Sequence, residues 1–179
     1  QGVPTQYRLL LDHPDFATRD LSALRVAGTG AARVPPELVV EMRERLGCPV
    51  TVRYSSTEAA NGTGTRLEDP PEIISSTVGR PNGNIRLRLT DEEGGVVDAP
   101  GQVGTVNLWS RARMRGYWRD PERTAQAITP DGWLVTGDLG WIGDDGNLRL
   151  VGRHTDDWLR DLRAALEDVE RLRAQGPAL

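Results

Sequence analysis

Residues 24–54, LRVAGTGAARVPPELVVEMRERLGCPVTVRY, decide how this chain folds. Leu24-Arg25-Val26-Ala27 has the length and apolar character of a short buried strand. Gly28-Thr29-Gly30-Ala31-Ala32 supplies a loop of small residues behind it. Pro35 and Pro36 pre-set the backbone for a helix start, because proline's fixed φ suits the first helical turn. Leu38, Val39, Met42 and Leu46 then recur at helical spacing, and Gly47 is the expected C-terminal stop. Pro49-Val50-Thr51-Val52-Arg53-Tyr54 returns as a strand, with β-branched residues where a pleated surface favours them. Strand, crossover helix, strand makes a βαβ unit with a parallel pair. Parallel strands end on one edge of the sheet, and ligands of open α/β sheets bind outside those carboxyl ends. The loop at 28–32 and the loop Ser55-Ser56-Thr57-Glu58 are therefore expected to form two walls of one crevice.

On the N-terminal side, Tyr7, Leu9, Leu10 and Leu11 suggest a helix that stops around Asp12-His13-Pro14. On the other side the pattern changes near Val78 to period two. Ile85, Leu87 and Leu89 alternate with Arg86 and Arg88, and Asp91-Glu92-Glu93-Gly94-Gly95 supplies a solvated hairpin tip. Thr105 to Trp109, Trp133 to Val135 and Asn147 to Val151 read as further strands, and Asp120-Pro121 reads as the cap and first turn of a helix reaching Ile128. The tail over 157–174 places Leu159, Leu162, Leu166, Val169 and Leu172 on one helical face. The expected fold is thus α/β: a partial parallel-sheet subdomain over 1–77, a small β-barrel-like subdomain over 78–152, and a hinge with an amphipathic helix over 153–179.

Composition removes several functions. The 179 residues carry a net charge of −4, which leaves no basic footprint for nucleic acid. No apolar run reaches the roughly 18–20 residues of a membrane-spanning helix, and one cysteine, Cys48, builds no disulfide framework. These features fit a cytoplasmic protein. All 22 basic residues are arginine, so no lysine amine is available for a Schiff base or a phosphate clamp. The first residue, Gln1, is followed at once by a dense apolar stretch, as in a piece of a longer protein.

Several segments could carry chemistry. Tyr54-Ser55-Ser56-Thr57-Glu58 ends a strand with an aromatic face for a base, hydroxyls for phosphate oxygens and a carboxylate for Mg²⁺; it also fits a polar loop capped by Thr57. Gly28-Thr29-Gly30 opens like a dinucleotide fingerprint, but Arg33 takes the third glycine's place and no acidic residue ends the next strand, so a plain tight turn is the better reading. Thr136-Gly137-Asp138 follows an apolar strand, where its carboxylate either accepts ribose hydroxyls or stabilises a turn. Arg153, in Gly152-Arg153-His154-Thr155-Asp156, is a sugar or phosphate ligand or a surface ion-pair partner. Gly116-Tyr117-Trp118, Trp133 and Trp141 read as core packing, and Cys48 as a small buried hydrophobe.

The order and spacing of these segments, together with Gly101-Gln102-Val103-Gly104, resemble the adenylate-forming superfamily over roughly residues 1–157. Trp133-Leu134-Val135-Thr136-Gly137-Asp138-Leu139-Gly140 is similar to the acyl-CoA synthetase form of that superfamily. The resemblance implies activation of a carboxylic acid by ATP to an acyl-adenylate, followed by transfer of the acyl group to a thiol, usually coenzyme A. It implies that Gly30, Ala31 and Ala32 line the adenine and that Tyr54 stacks on it, within the Ser55-Ser56 motif. Thr57 would bind the α-phosphate, Glu58 would ligate Mg²⁺, Asp138 would hold the ribose hydroxyls with Arg153 beside it, and Asp156 would mark the hinge. Small residues at 28–32 and 59–64 would line part of the acid pocket.

Four departures stand against the resemblance, one being that Asp157-Trp158-Leu159-Arg160 runs straight into the tail where the family continues through a glycine-containing loop. Ser55 replaces the family's usual glycine, a mild change if its backbone is not left-handed. The upstream Ser/Thr/Gly-rich phosphate loop does not occur in these residues. The late lysine is absent as well. The chain is therefore expected to be inactive alone and at most nucleotide-binding. The alternatives are a non-catalytic interaction module, or one half of a split enzyme completed by a partner chain.

Overall fold

The structure, a computed structural model, describes residues 1–154. Helix α1 (Pro4–Leu11) stops at Asp12 as its sequence predicts, and packs Tyr7 and Leu11 inward. The decisive stretch folds as β1 (Ala27–Gly30), α2 (Pro36–Leu46) and β2 (Val50–Ser56), with β1 and β2 parallel from Ala27↔Val50 to Gly30↔Arg53. Leu38, Val39, Met42 and Leu46 of α2 are all buried against Ala27, Val50 and Val52 of the sheet. Gly47 then takes the left-handed conformation, at φ 66°, that ends the helix.

The first strand begins later than its apolar letters suggest. Leu24 and Val26 are exposed, while Gly28, Thr29 and Gly30 belong to the strand rather than to a following loop. Small residues are needed because the neighbouring backbone is close: a Cβ on Gly30 would fall 2.2 Å from the Arg53 carbonyl oxygen.

The sheet continues with β3 (Ala60–Gly64), antiparallel to β2, and the two-residue β4 (Arg80–Pro81), in the order β1-β2-β3-β4. Helix α3 (Pro71–Ser76) lies between β3 and β4 and contributes Ile74 to the same core.

The β-rich segment forms a second sheet. Strands β5 (Arg86–Thr90), β6 (Gly104–Trp109), β7 (Leu134–Ile142) and β8 (Leu148–Arg153) pair antiparallel in chain order. Where a barrel-like closure was expected, β5 and β8 stand at the two edges of an open sheet. Its core is Leu89, Val106, Leu108, Leu134 and Leu148, with Ala59 from the first sheet's side. Helix α4 (Pro121–Ala127) is capped as expected, Asp120 Oδ1 accepting from the Arg123 amide at 2.9 Å.

The two sheets join at Val78-Gly79. The Val78 amide donates to the Leu148 carbonyl at 2.9 Å, and the Leu148 amide donates to the Gly79 carbonyl at 2.8 Å. Val78 also packs against both cores.

The aromatic residues correct a second expectation. Trp118 is 86% exposed and does not feed a core. Trp133 and Trp141 are half-buried, with the Arg88 and Arg149 guanidinium groups 4.4 and 4.8 Å from their ring centroids. Among the described residues no helix is long and apolar enough to cross a membrane. The expected tail helix, like the hinge at Asp156, lies outside the described residues.

Candidate functional site

Strand β2 carries Tyr54, Ser55 and Ser56, and a turn over residues 57–59 follows it. Because Gly30 pairs with Arg53, the chain leaves β1 one register step before Tyr54, so residues 31–32 lie at the same sheet edge. Ala31 there has a positive φ of 63°, and both Ala31 and Ala32 are exposed. Ser55 pairs with Asn61 and is not among the residues of positive φ, so serine costs the backbone nothing at the position where glycine was expected. Ser56 Oγ accepts from the Ala59 amide at 3.0 Å and closes the turn, leaving Thr57 exposed at its tip with its hydroxyl unengaged among the described residues.

Thr136, Gly137 and Asp138 sit inside β7, not beyond its end as their sequence suggested. Asp138 faces Arg153 across the β7–β8 ladder, and Arg153 Nε lies 2.6 Å from Asp138 Oδ1. The Tyr54 hydroxyl crosses from the first sheet and donates to Asp138 Oδ2. Burial, and then the hydrogen bond to the Asp138 carboxylate, push the Tyr54 phenol well above its ordinary value, so it stays protonated and keeps donating. The Asp138 side chain is 13% exposed, its amide donates to Thr136 Oγ1 at 3.1 Å, and that hydroxyl donates to the Val106 carbonyl at 2.8 Å. Each carboxylate oxygen therefore holds one protein donor and retains a lone pair for another.

Glu58 is gripped from the second sheet's side. Its carbonyl accepts from the Met114 amide at 2.7 Å, and its Oε1 accepts from the Tyr117 hydroxyl at 3.0 Å. Oε2 has no donor among the described residues. No group of three or more His, Cys, Asp or Glu side chains converges among these residues, so there is no all-protein cation cage. One carboxylate with a spare oxygen beside a hydroxyl-bearing turn fits Mg²⁺ that takes its other ligands from substrate phosphates and water. Tyr117 was read from sequence as packing. Its partner is 59 residues away, and the only local signal was the Asp120-Pro121 helix start that anchors its loop.

The tertiary structure thus brings Tyr54, Asp138 and Arg153 into contact, sets Thr57 and Glu58 on the turn that continues Tyr54's strand, and places residues 30–32 on the adjacent strand end. An aromatic ring, a paired carboxylate and an exposed hydroxyl-bearing turn lie at one rim.

Comparison with known proteins places the chain among adenylate-forming enzymes. The sequence model of the family described as AMP-binding enzyme matches residues 1–118, and that of the Mb1296 C-terminal domain matches residues 140–173. A 3-[(3aS,4S,7aS)-7a-methyl-1,5-dioxo-octahydro-1H-inden-4-yl]propanoyl:CoA ligase from Mycobacterium tuberculosis is 42% identical over 157 residues, which are 87% of this chain and 29% of the ligase. The amide bond synthetase McbA from Marinactinospora thermotolerans superposes with a TM-score of 0.77 at 38% identity, over 84% of this chain and 30% of McbA. ATP-bound MatB from Rhodopseudomonas palustris superposes at 0.76 and 30% identity, over 87% of this chain and 30% of MatB. The chain spans under a third of the length of each of these relatives.

Proposed function

The chain belongs to the AMP-binding enzyme family, and we propose that it forms the nucleotide-holding part of an ATP-dependent acid–thiol ligase. In that reaction a carboxylate oxygen of the acid attacks the α-phosphorus of ATP and pyrophosphate leaves. A thiol, coenzyme A, then attacks the acyl carbon, a thioester forms and AMP departs. Asp138 accepts the ribose hydroxyls with Arg153 alongside, Tyr54 offers its ring to the adenine, and residues 30–32 line the base. Thr57 donates to an α-phosphate oxygen, and Glu58 ligates Mg²⁺, which neutralises phosphate charge when bound.

The observation that carries this reading is the contact of Tyr54, Asp138 and Arg153, three side chains from three strands of two sheets, beside the 57–59 turn. The turn stands at the carboxyl edge of the parallel strands, where α/β sheets bind ligands.

These 179 residues contain no lysine and no Ser/Thr/Gly-rich phosphate loop. A positioned donor at a transition state is worth roughly 10²–10³ in rate. Losing two such elements leaves binding of the base, ribose and α-phosphate without turnover. Titration of the chain with AMP tests the reading: saturable binding that disappears in Asp138→Ala is expected, and no saturable binding in the folded wild type overturns it. A pyrophosphate-exchange assay is expected to show no activity above background for this chain alone.

A further inference from the structure

The two carboxylates at the rim are each held by a tyrosine from the opposite side. Tyr54 of the first sheet donates to Asp138 of the second, and Tyr117, in the loop after β6, donates to Glu58 at the end of β2. We propose that Tyr117 is a positioning residue, fixing the Glu58 carboxylate in the orientation that leaves Oε2 for the divalent cation of a bound nucleotide. This rests on the reading of Glu58 as the cation's ligand.

The geometry around Tyr117 is built for such a role. Its amide donates to Thr124 Oγ1 at 2.8 Å, and that hydroxyl donates to the Asp120 carbonyl at 2.7 Å, so the loop is tied to the first turn of α4. The Arg123 guanidinium lies 4.7 Å from the tyrosine ring centroid and covers it. Met114, three residues earlier, holds the Glu58 backbone at 2.7 Å. Glu58 is consequently gripped at main chain and carboxylate by one short segment. A glutamate left free must lose rotamer entropy when it meets a cation. Here that ordering is already present before the cation arrives, as it is for the outer-shell partners that orient metal-ligating carboxylates. Tyr117 does not touch the nucleotide; it acts through Glu58. The same contact explains why a half-buried tyrosine sits directly before the 86% exposed Trp118: its hydroxyl is turned inward to the carboxylate while its neighbour faces solvent.

The test is calorimetric titration of the full 179-residue chain with ATP, with Mg²⁺ and again with EDTA, reading the ratio of the two affinities. Tyr117→Phe keeps the ring under Arg123 and removes only the hydroxyl; a thermal melt confirms that it folds. The ratio is expected to fall about tenfold in Tyr117→Phe, with the EDTA affinity unchanged. It should collapse to near one in Glu58→Gln, and adding Tyr117→Phe to Glu58→Gln should change nothing further, because both act through one carboxylate. A Tyr117→Phe ratio equal to wild type, beside a collapsed Glu58→Gln ratio, overturns the role of Tyr117 alone. So does an equal loss with and without Mg²⁺, which marks a merely structural residue. An intact ratio in Glu58→Gln, or a ratio of one in the wild type, overturns the cation reading of Glu58 and the Tyr117 proposal with it.

Discussion

On the proposed reading, Asp138 serves stability and binding separately. Its two oxygens take Arg153 and Tyr54, and the Tyr54 hydroxyl is the more deeply buried donor. Asp138→Ala removes that hydroxyl's charged acceptor, so a loss of about 1–3 kcal/mol in urea unfolding is expected. Asp138→Asn still offers a carbonyl oxygen to Tyr54, and should unfold close to wild type while binding AMP at least about tenfold more weakly, since a charged acceptor for ribose hydroxyls is lost.

Asp145 is a residue of the other kind, structural only. Hydrogen bonds from Arg149, at 2.8 and 3.0 Å, hold its carboxyl far below the ordinary value despite some opposing desolvation. A carboxyl whose value is depressed in the folded state adds stability above its unfolded value, near 4, and loses it as pH falls toward the folded value. Asp145→Asn should therefore cost stability at pH 7, with the difference shrinking below pH 4. The side chain is a third exposed, so screening holds the effect to about 1 kcal/mol or less.

At the scale of elements, α2 is the strongest case of sequence pattern meeting structure. The four apolar positions at helical spacing are its buried ones, Val40 alone among its large apolar side chains facing out, and Met42 is fully covered. Met42→Ala should cost about 2–5 kcal/mol by leaving a cavity under the parallel pair. Helix α4 is short and none of its residues is buried, so its stability depends on its cap. Asp120→Ala should cost about 1 kcal/mol, measured by thermal unfolding. Strand β3, Ala60-Asn61-Gly62-Thr63-Gly64, escaped sequence reading because it holds no large β-former. It forms because β2 offers a paired edge, and because small residues admit the neighbours: a Cβ on Gly62 would fall 2.9 Å from the Tyr54 carbonyl and 3.0 Å from Leu108. The same logic shifted β1: Leu24 and Val26 look like strand residues, yet the ladder runs through residues 27–30, where Gly30 allows β2 to approach.

The described residues form two sheets with the candidate site at the rim between them, so that site depends on their junction. Gly79 has φ of 74°, and a Cβ there would lie 2.0 Å from the Gly64 carbonyl. Its own carbonyl accepts from Leu148, the first residue of β8, the strand that ends in Arg153. Gly79→Ala is expected to cost at least about 2 kcal/mol through backbone strain and clash, and to weaken AMP binding with it, because Tyr54 and Asp138 ride on opposite sheets. Unfolding curves and AMP titration on the same samples check both.

The local sequence determined the βαβ unit, the capped helices and the alternating strands near Ile85. These follow from periodicity and from the backbone preferences of proline, glycine and aspartate, which act within a few residues. Tertiary structure alone decided that the second sheet stays open, that Asp138 lies within a strand opposite Arg153, that Tyr54 reaches Asp138 across 84 positions of chain, and that Tyr117 holds Glu58 rather than a core. Such contacts depend on how separate surfaces pack and on which strand edges pair, and no local pattern of residues carries that information.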